Sequence, residues 1–184
     1  LTPPWPRLTV KDAIRKYAGI DVDALDDAQL KAECAKHHVE LKGKIWLRGL
    51  AVKGLFETLC EPHLEGPVFI TDHPRESTPL CKVHRDDPTL VEQFEPYING
   101  WEVGNAYSEL NDPVVQRQLL EEQVERGRGG EDETHPLDED FLRALEYGMP
   151  PTGGVGIGID RMIMLLTDSP NIKDVLLFPL MKPE

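Results

Sequence analysis

Residues 153–161, GGVGIGIDR, set Gly154, Gly156 and Gly158 alternately with Val155, Ile157 and Ile159 and end on Asp160 and Arg161. In a strand, successive side chains point to opposite faces, so the three glycines leave one face bare while branched aliphatics cover the other. A bare strand face admits either a closely packed backbone or a ligand, and spacing alone does not choose between them. The pattern is not G-x-G-x-x-G and no Gly-Lys-Ser/Thr follows, so neither a dinucleotide fingerprint nor a phosphate loop is met. Arg161 adds an argument for a ligand. It opens a helix predicted over MIMLLT, where the helix dipole disfavours a cation by roughly 0.3 to 1 kcal/mol, a placement that makes sense with an anion between them. Its planar fork suits phosphate, and its flat face can stack on a base. Asp160 offers a local alternative, as helix cap and salt-bridge partner of Arg161.

Acidic residues supply a second half-site. Within FEPYINGWEVGNAYSELNDP, Asn99-Gly100 is a strong signal for a two-residue hairpin turn. Such a turn sets Ile98 opposite Trp101 and Tyr97 opposite Glu102. Glu95 is then diagonal to Glu102 on one face, about 7 to 8 Å away between strand positions. Two carboxylates at that spacing suit Mg2+ shared with the phosphates of ATP; they also fit two solvated glutamates on an exposed sheet face. Asn105, Tyr107 and Glu109 share a face with one another, but strict alternation turns it away from Glu102. Bringing them all into one site requires a bulge near Val103-Gly104. Tyr107 with Glu109 would make an acidic, aromatic pocket for an ammonium group, or simply part of a half-buried strand.

These groups must be carried by elements that the sequence can build. TVKDAIRKYA, residues 9–18, opens on Thr9 as an N-cap, spaces Val10, Ile14 and Tyr17 at helical intervals and stops at Gly19. The stretch before it, LTPPWPR, reads as a loop entering that helix, with further chain expected upstream. DDAQLKAECAKHH starts a second helix at Asp26 or Asp27, with Leu30, Cys34 and Ala35 on one stripe. KIWLRGLAVKGLFETLCEPHL carries Leu47, Leu50, Leu55 and Leu59 through a third, until Pro62. From Pro67 the period changes, and PVFITDHP has the composition of a strand.

A polar loop runs to about residue 90, followed by the hairpin at 94–110. Asp112-Pro113 then caps and opens a helix through Val115, Leu119 and Leu120 to about Arg126. GRGGEDETHP reads as an acidic connector in water. Residues 138–147 form another helix on Phe141, Leu142 and Leu145, with Gly148 as its cap. MIMLLT continues as a helix apolar nearly all round, and VLLFP as a buried strand.

Composition bounds the function. The 184 residues with 40% hydrophobic content suffice for one ordinary core. A formal charge of −13 disfavours nonspecific nucleic-acid binding and suits a cationic ligand, or solubility alone. Cys34, Cys60 and Cys81 are odd in number and widely spaced, as expected of reduced thiols rather than a disulfide framework or zinc knuckle. No apolar run approaches a membrane span, so a soluble cytoplasmic protein is expected.

Taken together, GGVGIGIDRMIMLLTDSPNIKDVLLFP resembles motif 3 of the class II aminoacyl-tRNA synthetases. GWEVGNAYSELNDPVVQRQLLEEQ and LEYGMPPTGG resemble the lysyl-tRNA synthetases in particular. The similarity runs from about Pro67 to Glu184 and more loosely through the first third. It implies an α+β fold, part of the class II antiparallel sheet flanked by helices. Residues 1–66 would be the helical insertion between motifs 2 and 3, and 67–184 the C-terminal portion of the catalytic core.

The implied reaction is ATP-dependent formation of lysyl-adenylate and transfer of lysine to tRNA. Carried over by position, Arg161 would be the catalytic residue, holding the ATP phosphates and stacking near adenine. Gly154, Gly156, Gly158 and Glu102 would line the ATP seat, and Glu95 and Glu102 would hold Mg2+. Asn105, Tyr107, Glu109 and Gly156 would receive lysine. No nucleophile or general base is needed. The resemblance includes neither motif 1, motif 2 nor the anticodon-binding OB domain. The segment is therefore expected to be inactive alone, with tRNA contacts and a homodimer interface belonging to the rest of the synthetase chain. Two other functions remain open at this point: a non-catalytic regulatory or assembly module, and a paralogue that adds lysine to proteins.

Overall fold

The structure is a computed structural model that describes residues 1–41, 45–130 and 134–180. Capping chemistry fixes the first two helices where the sequence reading puts them. The Thr9 hydroxyl accepts from the Asp12 amide at the start of α1 (Val10–Ala18), and a reciprocal Asp26/Gln29 capping box opens α2 (Asp27–Lys36). Leu30 and Cys34 are buried as predicted, whereas Ala35 is exposed, because the buried stripe of so short a helix is narrow. The third helix, α3 (Arg48–Leu59), begins later than the apolar run, with Leu47 as its extended N-cap; the predicted start at Lys44 lies outside the described residues.

One sheet gathers the strands in the order β1-β2-β3-β5-β6: β1 (Arg7–Thr9), β2 (Val68–Pro74), β3 (Leu90–Ile98), β5 (Gly104–Ser108) and β6 (Gly153–Ile157). The short β4 (Trp101–Glu102) pairs with the end of β3. Arg7–Thr9, where the sequence reading put the end of a loop and the Thr9 cap but no strand, runs parallel to β2, and the other pairings are antiparallel. Three residues among prolines give too little periodicity to announce a strand.

Residues paired across antiparallel strands share a face, so the registers Val68↔Tyr97 and Ile70↔Glu95 define one side of the sheet. The helices α1, α2 and α3 pack on that side, where Val10, Ile14, Leu30, Leu55 and Phe56 join Val68, Ile70 and Tyr97 in the main core. Burying such side chains stabilises the fold by about 1.5 to 3 kcal/mol each. The helical wall stops at a 3-10 turn (Glu61–His63); beyond it β5 is buried to half-buried and β6 is mostly exposed.

Two more helices flank the far end. In α4 (Pro113–Arg128) the Asp112 carboxylate caps two amides, and in α5 (Glu139–Glu146) Asp138 caps the first turn, with Leu142 and Leu145 buried and Phe141 largely exposed. The acidic connector between them falls partly outside the described residues.

The C-terminal part departs from the sequence reading. The last helix, α6 (Ile159–Thr167), begins three residues before MIMLLT, with Gly158 as its N-cap, so Gly158 and Ile159 leave the alternation of the strand. Only Met164 of α6 is buried, and VLLFP is not a strand: Leu177 and Phe178 stand 91% and 94% exposed. Val155 and Ile157, expected to pack, are 73% and 60% exposed. A fully apolar segment is legible as buried only when its covering element is present.

Candidate functional site

The hairpin turn is as the sequence predicts, with Asn99 and Gly100 both at positive φ (57° and 72°) and Tyr97↔Glu102 and Ile98↔Trp101 in register. The predicted bulge is also present. Between β4 and β5 the register moves by one residue, to Phe94↔Ala106 and Gln93↔Tyr107, and Val103 is the extra residue, its N–H bonded to the Pro96 carbonyl at 2.9 Å. Glu95, Glu102, Asn105 and Tyr107 therefore share one face. Gly154 and Gly156 join them, because β6 pairs Tyr107↔Gly154 and Asn105↔Gly156.

Glycine acts differently at each position of this stretch. A Cβ at Gly154 would run into the Glu109 carboxylate, so the bare backbone there seats that acid. Over Gly156 the nearest atom is the Asn105 carbonyl at 3.8 Å, and the face is open. Across the pair, a Cβ on Gly104 would fall 2.8 Å from the Gly156 carbonyl, so Gly104 is what lets β6 approach β5 this closely.

Arg161 occupies the third position of α6 and is exposed, with its Nη1 donating to the Glu102 carbonyl at 2.7 Å. It thereby joins the start of the helix to the hairpin. The alternative role for Asp160 is not realised, since the N-cap is Gly158 and carries no side-chain bond.

The buried end of the site is acidic. Glu95 is 6% exposed; Gln93 Nε2 donates to its Oε1 at 3.1 Å, and its Oε2 lies 3.0 Å from the Tyr97 hydroxyl, whose single hydrogen it shares with Glu61. The same tyrosine hydroxyl lies 2.7 Å from Glu61 Oε1 on the turn after α3. Burial raises the Glu61, Glu95 and Glu102 carboxyls above the usual range, and repulsion from neighbouring carboxylates adds to it. Lys53 offsets part of this at Glu95, and Arg161 followed by Lys53 at Glu102. An excess of buried negative charge is the condition under which a cation is welcome. Two glutamates are hard oxygen donors that suit Mg2+ completed by phosphate oxygens. Among the described residues, no group of three or more His, Cys, Asp or Glu is placed to hold a metal unaided.

At the other end Tyr107 and Glu109 are half-buried, and burial raises both, with the Glu109 charge contributing second at Tyr107. Glu109 is anchored by its backbone, whose N–H bonds the Thr152 carbonyl at 2.9 Å.

Four residues at the site escaped the sequence reading: Glu61, His73, Gln93 and Tyr97. Gln93, Glu95 and Tyr97 alternate along β3, a polar run on one face that was available as a signal. His73 was not, because a second irregularity at Asp72, at φ 58°, turns it onto the site face. Its Nε2 lies 3.7 Å from Glu95 Oε2, but burial pushes the ring down to about 4, so at neutral pH it is an uncharged neighbour rather than an ion-pair partner. The three cysteines are free, as expected, and all are buried. Among the described residues, no helix is long and apolar enough to cross a membrane.

With this geometry in hand, the comparisons with known proteins are specific. Residues 1–182 match the family described as tRNA synthetases class II (D, K and N). The chain is 50% identical over 177 residues to the lysine–tRNA ligase of Saccharolobus solfataricus, covering 96% of this chain and 36% of that protein. It is 50% identical over 187 residues to that of Moorella thermoacetica, covering 100% and 38%, and 49% identical over 184 residues to that of Porphyromonas gingivalis, covering 98% and 31%. It thus spans about a third of the length of such relatives. The match over nearly all its residues and its fold together establish that the chain belongs to the class II tRNA synthetases of the D, K and N group.

Proposed function

We propose that these residues are the C-terminal portion of the catalytic domain of a lysine–tRNA ligase, with residues 1–66 as the helical insertion and 67–184 as core. The observation that carries the lysine reading is the Glu109 carboxylate seated over Gly154 on the same face as Tyr107. A carboxylate beside an aromatic ring attracts an ammonium group by charge and by the ring quadrupole. Asn105 presents its Oδ1 to Gln93, which leaves its amide N–H groups for an acceptor such as the amino-acid carboxylate.

ATP would lie across the open face at Gly156 towards Arg161, with Gly158 at the entry to α6. The Arg161 fork would bind the phosphates, and its plane would stack near the base. Activation joins the amino-acid carboxylate to the α-phosphorus and expels pyrophosphate. The chain contributes by placing two reactants and balancing charge, with no side chain acting as nucleophile. Mg2+ held by Glu95 and Glu102 would neutralise charge on the phosphates.

The outer edge of β6, unpaired among the described residues, and the exposed Val155 and Ile157 support a sheet completed by chain outside this segment, which would also carry tRNA contacts and the homodimer interface. The test is lysine-dependent ATP–pyrophosphate exchange. The longest natural chain containing these residues is expected to catalyse it and the 184-residue chain is not. Charging assays with tRNA and with protein acceptors then separate the ligase from a protein-lysylating relative.

A further inference from the structure

Gln93 makes two contacts that no other side chain at the site combines. Its Nε2 donates to Glu95 Oε1 at 3.1 Å and to Asn105 Oδ1 at 3.2 Å, while the residue itself is 7% exposed. Glu95 Oε1 and Asn105 Oδ1 both accept from this one nitrogen, so both of its hydrogens are in use. The consequence is a buried Gln93 Oε1 with no partner among the described residues. Orphaned buried acceptors of this kind are uncommon and call for a reason.

Strand geometry supplies one. Gln93 stands two residues before Glu95 on the same face, and the bulge at Val103 brings Asn105 onto that face of β5, diagonal to Gln93, whose direct partner is Tyr107. Without that bulge Asn105 would turn to the other side, and a side chain at position 93 could reach only Glu95.

We infer that Gln93 is a positioning residue that ties the amino-acid subsite at Asn105 to the metal-and-phosphate subsite at Glu95, so that each site orders the other. This rests on the assignment of those two residues given above. The second oxygen of Glu95 lies against the Tyr97 hydroxyl, which is shared with Glu61, so loss of Gln93 frees the oxygen that Gln93 alone holds.

The test compares Gln93→Met, which keeps length and volume but lacks donors, with Gln93→Glu, which sets an acceptor against two acceptors. Both are made in the longest natural chain containing these residues. Calorimetry measures lysine binding alone and again with a non-hydrolysable ATP analogue and Mn2+ present, and thermal melting checks folding. In the unsubstituted chain lysine should bind about tenfold more tightly with the nucleotide present, the scale of one charge-assisted hydrogen bond. Gln93→Met should lose most of that enhancement while retaining lysine binding within about threefold, and Gln93→Glu should weaken both. A residue that merely stabilised the sheet would lower the melting temperature and leave the enhancement intact. Retention of the full enhancement in Gln93→Met, or its absence in the unsubstituted chain that still binds lysine, overturns the proposal alone. Failure of the unsubstituted chain to bind lysine at all overturns the site assignment beneath it.

Discussion

The carboxylate of Glu109 occupies the space that any side chain at position 154 would need. The glycine is therefore half of the seat for that acid, and its lack of a Cβ is a requirement of the site rather than of the strand. Replacing it tests the two separately. The Glu109 side chain is flexible and half-buried, so Gly154→Ala can be accommodated by swinging the acid away. In the longest natural chain containing these residues, we expect a melting temperature within a few degrees of the unsubstituted chain and a KM for lysine raised by about 10- to 100-fold, the loss of a charge-assisted contact. Unchanged KM in a folded variant would remove Glu109 from the lysine seat.

Arg161 should not tolerate lysine. Its exposed guanidinium donates to the Glu102 carbonyl at 2.7 Å, beside the proposed nucleotide seat. A lysine keeps the charge but not the fork or the flat face. Arg161→Lys is expected to reduce kcat/KM for ATP by about 100-fold in pyrophosphate exchange, with lysine binding measured alone unaffected. Equal loss for both substrates would point to a collapsed hairpin instead.

Acid sensitivity should arise on the reverse face. Glu92 bonds Arg85 Nε at 2.7 Å and the Ser108 hydroxyl at 2.7 Å, and these two contacts hold its carboxyl down to about 2. A carboxyl held below its ordinary value stabilises the fold above that value, and the contribution is lost as pH falls from about 4.5 through about 2. Since Arg85 is largely exposed, solvent screens the pair and the effect should not exceed about 1 kcal/mol. Melting curves at pH 7 and pH 3 check this: the difference between the unsubstituted chain and Glu92→Gln should shrink at the lower pH.

The exposed aliphatics of β6 predict opposite effects in short and long chains. Val155→Thr with Ile157→Thr removes apolar surface that the 184-residue chain leaves in water, so that chain should become more soluble and less prone to associate, as read by light scattering. In the longest natural chain the same pair should lower the melting temperature, because covered aliphatics contribute about 1 kcal/mol or more each.

Much of this was legible in the residues themselves. Asn99-Gly100 fixed the hairpin register, and the need to place Glu102 and Asn105 on one face demanded the bulge that the structure has at Val103. Those are local rules, set by turn geometry and strand alternation. The elements that were misread depend on partners distant in sequence or outside the segment. Arg7–Thr9 becomes a strand only because Phe69 and Ile70 lie alongside it. The VLLFP segment has the composition of a buried strand, yet among the described residues nothing covers its Leu177 and Phe178. His73 reaches Glu95 through a positive φ at Asp72 that no periodicity announces. Gln93 and Tyr97 could have been found, since polar alternation through Gln93, Glu95 and Tyr97 on a strand whose helical partners are apolar is itself a signal of a site.

The family to which the chain belongs includes enzymes for aspartate, lysine and asparagine, and the central claim is that this site takes lysine. Amino-acid-dependent ATP–pyrophosphate exchange by the longest natural chain containing these residues, run in parallel with the three amino acids, addresses it most directly. The account predicts exchange with lysine and background rates with the other two, and a Glu109→Gln variant that loses the lysine rate. Exchange driven by aspartate or asparagine, or a lysine rate indifferent to Glu109, would contradict it.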